Sequence, residues 1–381
     1  MGNRSCSGPA ICCLLHNLTP GGSAWQWLRL LGKHVGDGGR ATIFAPPGPL
    51  SAPARRAGIE VVATAPWVEG AGGQPELLAA IAEHDVAVVH WEQGVMEAFG
   101  PALEACGRAA LALHQAPRGL SRWFGETTVA TAAAVLKRAV AERHAVALVR
   151  GEIHRSKVAA GFGVPADALW TVPAAVALPA LPFDPAPPEP REVLAMARLS
   201  AEKAAVVELA VELTAARLAA GRTCRLTVAG DGHWRSEAAA LCERRLPSQA
   251  WRIEPAPENP VARLAAADLV VAQGVTTLEA AALGRRVVVA RSAGERGGVV
   301  LTPDRYAEAA QDPFGDPPLT VGPGQLWEEA LALGEADLRA LRQRVETRNS
   351  LEVASRALGE ALAATRARGG FRARLRRSFA C

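Results

Sequence analysis

No apolar run in this chain approaches the roughly 18 residues that a membrane-spanning helix needs, which excludes a spanning segment. No Cys-x-x-Cys pair occurs, and seven cysteines is an odd number. Neither a disulfide framework nor a zinc site fits, so the expectation is reduced thiols and a cytoplasmic protein. Cys12 and Cys13 are adjacent on a predicted strand and must point to opposite faces. There is no G-x-S-x-G elbow, no G-x-x-x-x-G-K-[ST] phosphate loop and no H-E-x-x-H helix, so three common catalytic chemistries lack their signatures. The opening MGNRSCSGPAICCLL lacks a small-residue cleavage site and runs straight into His16 and Asn17, which reads as a first core strand and no signal peptide.

What the sequence has is core. It is 381 residues long, 49% hydrophobic and 21% charged, the profile of a globular chain with room for two domains. The net charge is +4, but the segment after Thr365 carries six Arg and no acid, leaving −2 for residues 1–365. Binding nucleic acid would need basic residues spread over a face of the fold, so no nucleic-acid partner is expected.

Short apolar runs alternate with helical windows. Pro9–His16, Ala41–Ala45, Ile59–Thr64, Val86–Trp91, Ala110–His114, Ala145–Val149 and Trp170–Val172 read as strands. Ser23–Val35, Glu76–Glu83, Met96–Cys106 and Thr128–Arg143 read as helices. Leu178 to Arg191 holds six prolines and reads as a stiff linker. Alternation then restarts with strands Val193–Ala197, Cys224–Gly230, Trp251–Glu254, Asp268–Ala272 and Arg286–Ala290. Helices Glu202–Ala219, Trp234–Arg245, Pro260–Ala266 and Thr276–Leu283 lie between them, and a long helical stretch from Gln325 to about Arg366 closes the chain. The pattern predicts an α/β protein of two doubly wound domains. They comprise residues 1–177 and 192–365, with a linker at 178–191 and a basic tail at 366–381. Ligands of such sheets sit beyond the carboxyl ends of the strands, and a cleft where the two domains face each other is the expected active site.

The most informative run is VLAMARLSAEK, Val193 to Lys203. A strand breaks into a turn bracketed by Arg198 and Lys203, and Ser200 is a good N-cap that puts Lys203 near the third helical position. A cation there is mildly unfavourable, by roughly 0.3–1 kcal/mol, unless an anion sits between the two. Downstream, Gly230-Asp231-Gly232 turns a strand into a helix, LAAADLVVA feeds a short helix into a strand, and QGVTTLEAAALG opens a helix bearing Glu279. Thr276 and Glu279 also form the T-x-x-E of a capping box.

This ordered set resembles the second domain of GT-B-fold glycosyltransferases, in particular the retaining enzymes of family 4. The resemblance spans residues 10–365 and extends to TPGGSAWQWLRLLGKHV, where Gly21 and Gly22 follow the first strand. It implies that Arg198 and Lys203 grip the donor diphosphate. Gly230 and Asp231 would lie beside the nucleotide, Glu279 would take the ribose hydroxyls, and Thr276 and Thr277 would belong to the same donor-binding site. Gly22 would admit a phosphate or sugar close to the backbone, and His114 would stand near the donor sugar. The implied protein is a hexosyltransferase acting with retention. The absence of an Asp-x-Asp adds the expectation that it needs no metal. Nucleotide sugar would be its co-substrate, with no resident cofactor. The family pairs its late Glu with one eight residues earlier, which is Val271 here. That substitution gives the alternative reading, a nucleotide-sugar-binding subunit without turnover, with a nucleotide-sugar epimerase as a third. In the tail, Phe371, Leu375 and Phe379 share one face if helical, and six Arg fit docking on the inner anionic leaflet at about 1 kcal/mol each. The acceptor would then be a lipid-linked or envelope glycan.

Overall fold

The computed structural model describes residues 9–65, 75–90, 109–112, 130, 133–134, 136–138, 141, 145–178, 183–290, 297–307 and 321–364. The chain divides into two compact units, residues 1–175 with 351–381, and residues 176–350.

The first unit is built on seven parallel strands. They are β1 (Ala10–Leu14), β2 (Arg40–Ala45), β3 (Glu60–Ala63), β4 (Val86–His90), β5 (Ala109–Ala112), β6 (Ala145–Val149) and β7 (Leu169–Thr171), in the order β3-β2-β1-β4-β5-β6-β7. β1 is buried along its whole length, with Cys13 in register with Ile43 on one side and Val88 on the other. A parallel strand covered on both faces must be apolar throughout, which is why AICCL has no polar alternation. Helix α1 (Gly22–Gly36) lays Trp27, Leu30 and Leu31 on that sheet. Two further helices, α2 (Ser51–Arg56) and α4 (Glu152–Phe162), escape the sequence pattern because each is short and charged, with few apolar residues to set a period. Helix α3 (Pro75–Ala82) lies where the pattern put it.

The second unit carries β8 (Glu192–Met196), β9 (Arg225–Ala229), β10 (Trp251–Glu254), β11 (Leu269–Ala272), β12 (Arg286–Ala290) and β13 (Gly298–Val300), in the order β10-β9-β8-β11-β12-β13. Five are parallel, and β13 is antiparallel to β12. At three residues, β13 is too short to show a period, and the sequence pattern misses it. Helices α5 (Ala204–Ala219), α6 (Arg235–Arg245), α7 (Pro260–Ala265) and α8 (Val275–Ala282) connect the parallel strands.

Three expectations are corrected. The closing helical stretch is three helices, α9 (Pro323–Ala332), α10 (Glu335–Asn349) and α11 (Leu351–Ala364), broken at Leu333-Gly334 and at Ser350. The last of them does not belong to the second domain. Ala354, Leu358, Ala361 and Leu362, spaced as one helical stripe, join the first unit's core with Trp27, Leu30 and Leu31. The proline-rich segment is likewise no free linker, since its described part is docked on the second unit. Ala186 N–H donates to Gly284 O at 2.9 Å, and the Arg286 guanidinium donates to Ala186 O and Pro187 O at 3.0 and 2.6 Å. Arg339 stacks over the Phe183 ring at 4.7 Å. Proline removes N–H donors but leaves carbonyls, and buried arginines take them up.

Candidate functional site

The second sheet reverses its direction of growth between β8 and β11. The chain runs from β8 outward to β9 and β10, then returns to β11 on the other side. At such a switch the loops after the two central strands diverge and leave room for a ligand beyond their carboxyl ends. Those loops are residues 197–203 and 273–275, the segments that carry Arg198, Lys203 and the start of α8.

The first loop is held by the Gly-Asp-Gly turn. Leu199 N–H donates to Asp231 O at 2.9 Å and Trp234 N–H to Leu199 O at 3.0 Å. A Cβ on Gly230 would lie 1.9 Å from Ala197 O, and one on Gly232 2.0 Å from Leu199 O, with φ of +157° and +148°. Both glycines are therefore required by the backbone they press against. Asp231 accepts from Ala256 N–H at 3.1 Å, tying the loop after β9 to the one after β10. Arg235 donates to the carbonyls of Gly230, Ile253 and Glu254, each at 3.2 Å. In this structure Gly230 and Asp231 build the floor under the Arg198 loop.

Ser200 occupies the N-cap position in extended conformation, and Lys203 ends a single 3-10 turn, Ala201–Lys203, that leads into α5. The expected side-chain cap does not form. Ser200 Oγ is buried and has no hydrogen-bond partner. Arg198, 50% exposed, pairs with Glu202 one helical turn ahead. Lys203 reaches across the switch, and its Nζ donates to Gln273 Oε1 at 2.9 Å. Gln273 Nε2 in turn donates to Ala290 O, at the end of β12, at 3.2 Å. Glu202 and Gln273 had no role in the sequence reading. Only the i,i+4 spacing of Arg198 and Glu202 could have signalled the first, and nothing local signals the second, whose partner is 70 residues away.

Helix α8 starts earlier than the capping-box reading requires. Gly274, at φ +68°, takes the N-cap place, and Thr277 Oγ1 donates to Gly274 O at 2.6 Å. Thr276 is the second helical residue, so Thr276 and Glu279 cannot form the box, and that expectation is corrected. Glu279 is 8% exposed on the buried side of α8. Val271 is fully buried within β11, pointing no chemistry at the switch. The polar residue at the end of that strand is Gln273.

In the first unit the equivalent switch lies between β1 and β4. Gly21 is the N-cap of α1 and Gly22 its first residue. The helix start carries no side-chain cap, and a Cβ on Gly21 would approach only Thr19 O, at 4.0 Å. At the end of β6, Arg150 N–H donates to Nδ1 of the buried His154 at 3.2 Å, a pairing the sequence reading passed over. His114 lies outside the described residues, as does the tail from 365 onward. Among the described residues no cluster of His, Cys, Asp or Glu is arranged to hold a metal ion. No described helix is long and apolar enough to cross a membrane.

Two α/β sheets with this strand order define the GT-B fold of glycosyltransferases, and the comparison with solved structures agrees. A glycosyltransferase from Rickettsia africae superposes with a TM-score of 0.66 at 14% identity, over 93% of this chain and 97% of that one. Anabaena Alr3699/HepE, solved in complex with UDP and glucose, gives 0.69 at 14% identity, over 93% and 100%. Sucrose-phosphate synthase from Thermosynechococcus elongatus gives 0.64 at 13%, over 93% and 98%. No protein-family model and no curated protein matches the sequence. The chain has the GT-B fold.

Proposed function

We propose that this protein is a glycosyltransferase that moves a hexose from a nucleotide sugar to an acceptor bound by the first unit. The observation that carries the reading is the switch of the second sheet, where Arg198, Lys203 and the N-terminus of α8 converge on one carboxyl edge. Support also comes from a neighbour of the same fold, the Anabaena protein, solved with UDP and with UDP-glucose. In the reaction the bond between the anomeric carbon and the diphosphate oxygen breaks, an acceptor hydroxyl oxygen bonds to that carbon on the same face, with retention, and the hydroxyl proton passes to the leaving diphosphate. Negative charge collects on the leaving diphosphate. Arg198, Lys203 and the helix N–H groups meet that charge, so a metal is not required. Glu279, on α8, takes the ribose hydroxyls.

Calorimetric titration with UDP and GDP tests the donor site. Arg198→Ala and Lys203→Ala should each lose a charge-assisted hydrogen bond worth about 1.5–3 kcal/mol, a drop of tenfold or more in affinity. Unchanged affinity in both variants, for a diphosphate that the wild type binds, sinks the reading. The buried Val271 favours one second reading, a donor-binding subunit without turnover. A wild type that binds donor yet releases no diphosphate across broad acceptor panels would select it.

A further inference from the structure

Ser200 has the backbone of a helix cap and does not cap. Its φ of −137° and ψ of 158° are extended, and it precedes the turn Ala201–Lys203, which runs without a break into the 16 residues of α5. From such a backbone one χ1 rotamer sets the hydroxyl against the first N–H groups of the helix. Ser200 does not use that contact. The residue is 3% exposed, its side chain makes no cap hydrogen bond, and its Oγ has no hydrogen-bond partner at all. A buried hydroxyl without a partner lowers stability, and an alanine would fill the same space without that cost.

Ser200 lies between Arg198 and Lys203, in the loop that leaves β8 at the switch of the second sheet. A capping hydroxyl would accept from the helix N–H groups and so occupy them. Turned away, it leaves those groups without a side-chain cap at a helix end that favours anions. A serine hydroxyl can also donate, which a phosphate oxygen requires and a backbone N–H does not. We propose that Ser200 is a diphosphate-binding residue. A phosphate oxygen of the nucleoside diphosphate takes the uncapped N–H groups, and the Ser200 hydroxyl rotates about χ1 to donate to it. The ligand then supplies the cap that the side chain withholds. The inference rests on the donor-site reading above and adds a neutral donor to its two cations.

Ser200→Ala decides it in two measurements, urea unfolding without ligand and calorimetric titration with UDP or GDP, whichever the wild type binds. The variant should bind about tenfold or more weakly, because a hydrogen bond to a charged group is lost. Its urea midpoint should equal or exceed that of the wild type, because the hydroxyl holds nothing until the ligand arrives. A serine that served as an ordinary cap would lower the midpoint on removal. A lower midpoint, or a variant that does not fold, therefore overturns the proposal even where binding also falls. Affinity within about threefold of wild type overturns it as well. Weaker binding in Arg198→Ala and Lys203→Ala beside either result leaves the donor site standing and removes only this inference. A wild type that binds neither diphosphate removes both.

Discussion

The two edges of the second sheet both carry arginine, and they use it in opposite ways. At the amino edge of β12, Arg286 is 3% exposed and donates to four carbonyls, those of Ala186, Pro187, Ala330 and Leu333, at 2.6 to 3.0 Å. Arg285 beside it donates to the carbonyls of Leu283, Ala265 and Ala267. Burial pulls both guanidinium groups below the usual arginine range; Asp184 and Asp268 pull Arg285 back, and Asp268 pulls Arg286 back. At the carboxyl edge Arg198 and Lys203 are partly exposed and meet side chains. A cation whose donors are spent on backbone carbonyls is a staple. One that meets water and a few side chains keeps capacity for a ligand. Burial and partner type separate the two, while the count of positive charges does not.

The comparison can be broken most directly at the staple. Arg286→Ala removes a donor from the carbonyls of Ala186, Pro187, Ala330 and Leu333 and loosens the 183–187 strap, so the second unit should lose about 3–5 kcal/mol in urea unfolding. Lys203→Ala in the same assay should change stability by less than about 0.5 kcal/mol. Similar losses in the two variants would erase the distinction drawn between the edges. The next largest effect should come from Gly230→Ala, whose new methyl group would meet Ala197 O. A stability loss of about 2–4 kcal/mol is expected, together with weaker diphosphate binding, because the displaced loop carries Arg198. A Gly230→Ala protein that is stable yet binds normally would separate the floor from the cations above it.

Alkaline pH probes the second unit's core. Burial pushes the thiols of Cys224 and Cys242 up to about 11 and raises the Tyr306 hydroxyl further. A raised folded pKa favours the neutral, folded form. The contribution is complete below the unfolded thiol value near 9 and is lost as pH climbs toward 11. By pH 10 each thiol should cost about 1 kcal/mol, read as a falling urea midpoint. The two thiols should also react slowly with a disulfide reagent until urea exposes them. A flat midpoint between pH 8 and 10.5 would contradict their burial. The smallest effect concerns the arginines of the tail, a third use of positive charge. We propose docking on anionic lipid, so vesicles containing anionic lipid should float the full chain and leave behind one truncated after Thr365. Equal flotation of the two removes that reading.

Much of this was legible in the residues themselves. The apolar runs located all twelve parallel strands within a residue or two, because a strand covered on both faces shows its burial in composition alone. Lys203 fell at the third helical position because a strand, a turn and an N-cap residue follow one another without a gap. Gln273 was hidden because counting back eight residues from Glu279 assumes a loop length, and this loop is short. The count landed on Val271 inside β11. Thr276 misled for the same reason that Gly274 matters. A T-x-x-E pattern cannot reveal that a glycine at positive φ starts the helix first. The docking of 183–187 was invisible because what the segment offers Arg286 is backbone carbonyls, which every sequence has. The placement of α11 was invisible too, because an apolar stripe declares that it needs a core without saying which one.

That placement has a consequence during synthesis. The second unit is one uninterrupted stretch, with Val176 N–H bonded to Asn349 O at 2.8 Å so that its two ends close on each other. On the ribosome it has all of its residues before α11 emerges. The first unit begins earlier but waits, with Trp27, Leu30 and Leu31 lacking Leu358 and Leu362, until the final helix leaves the exit tunnel. The half of the protein translated first is the half that finishes last.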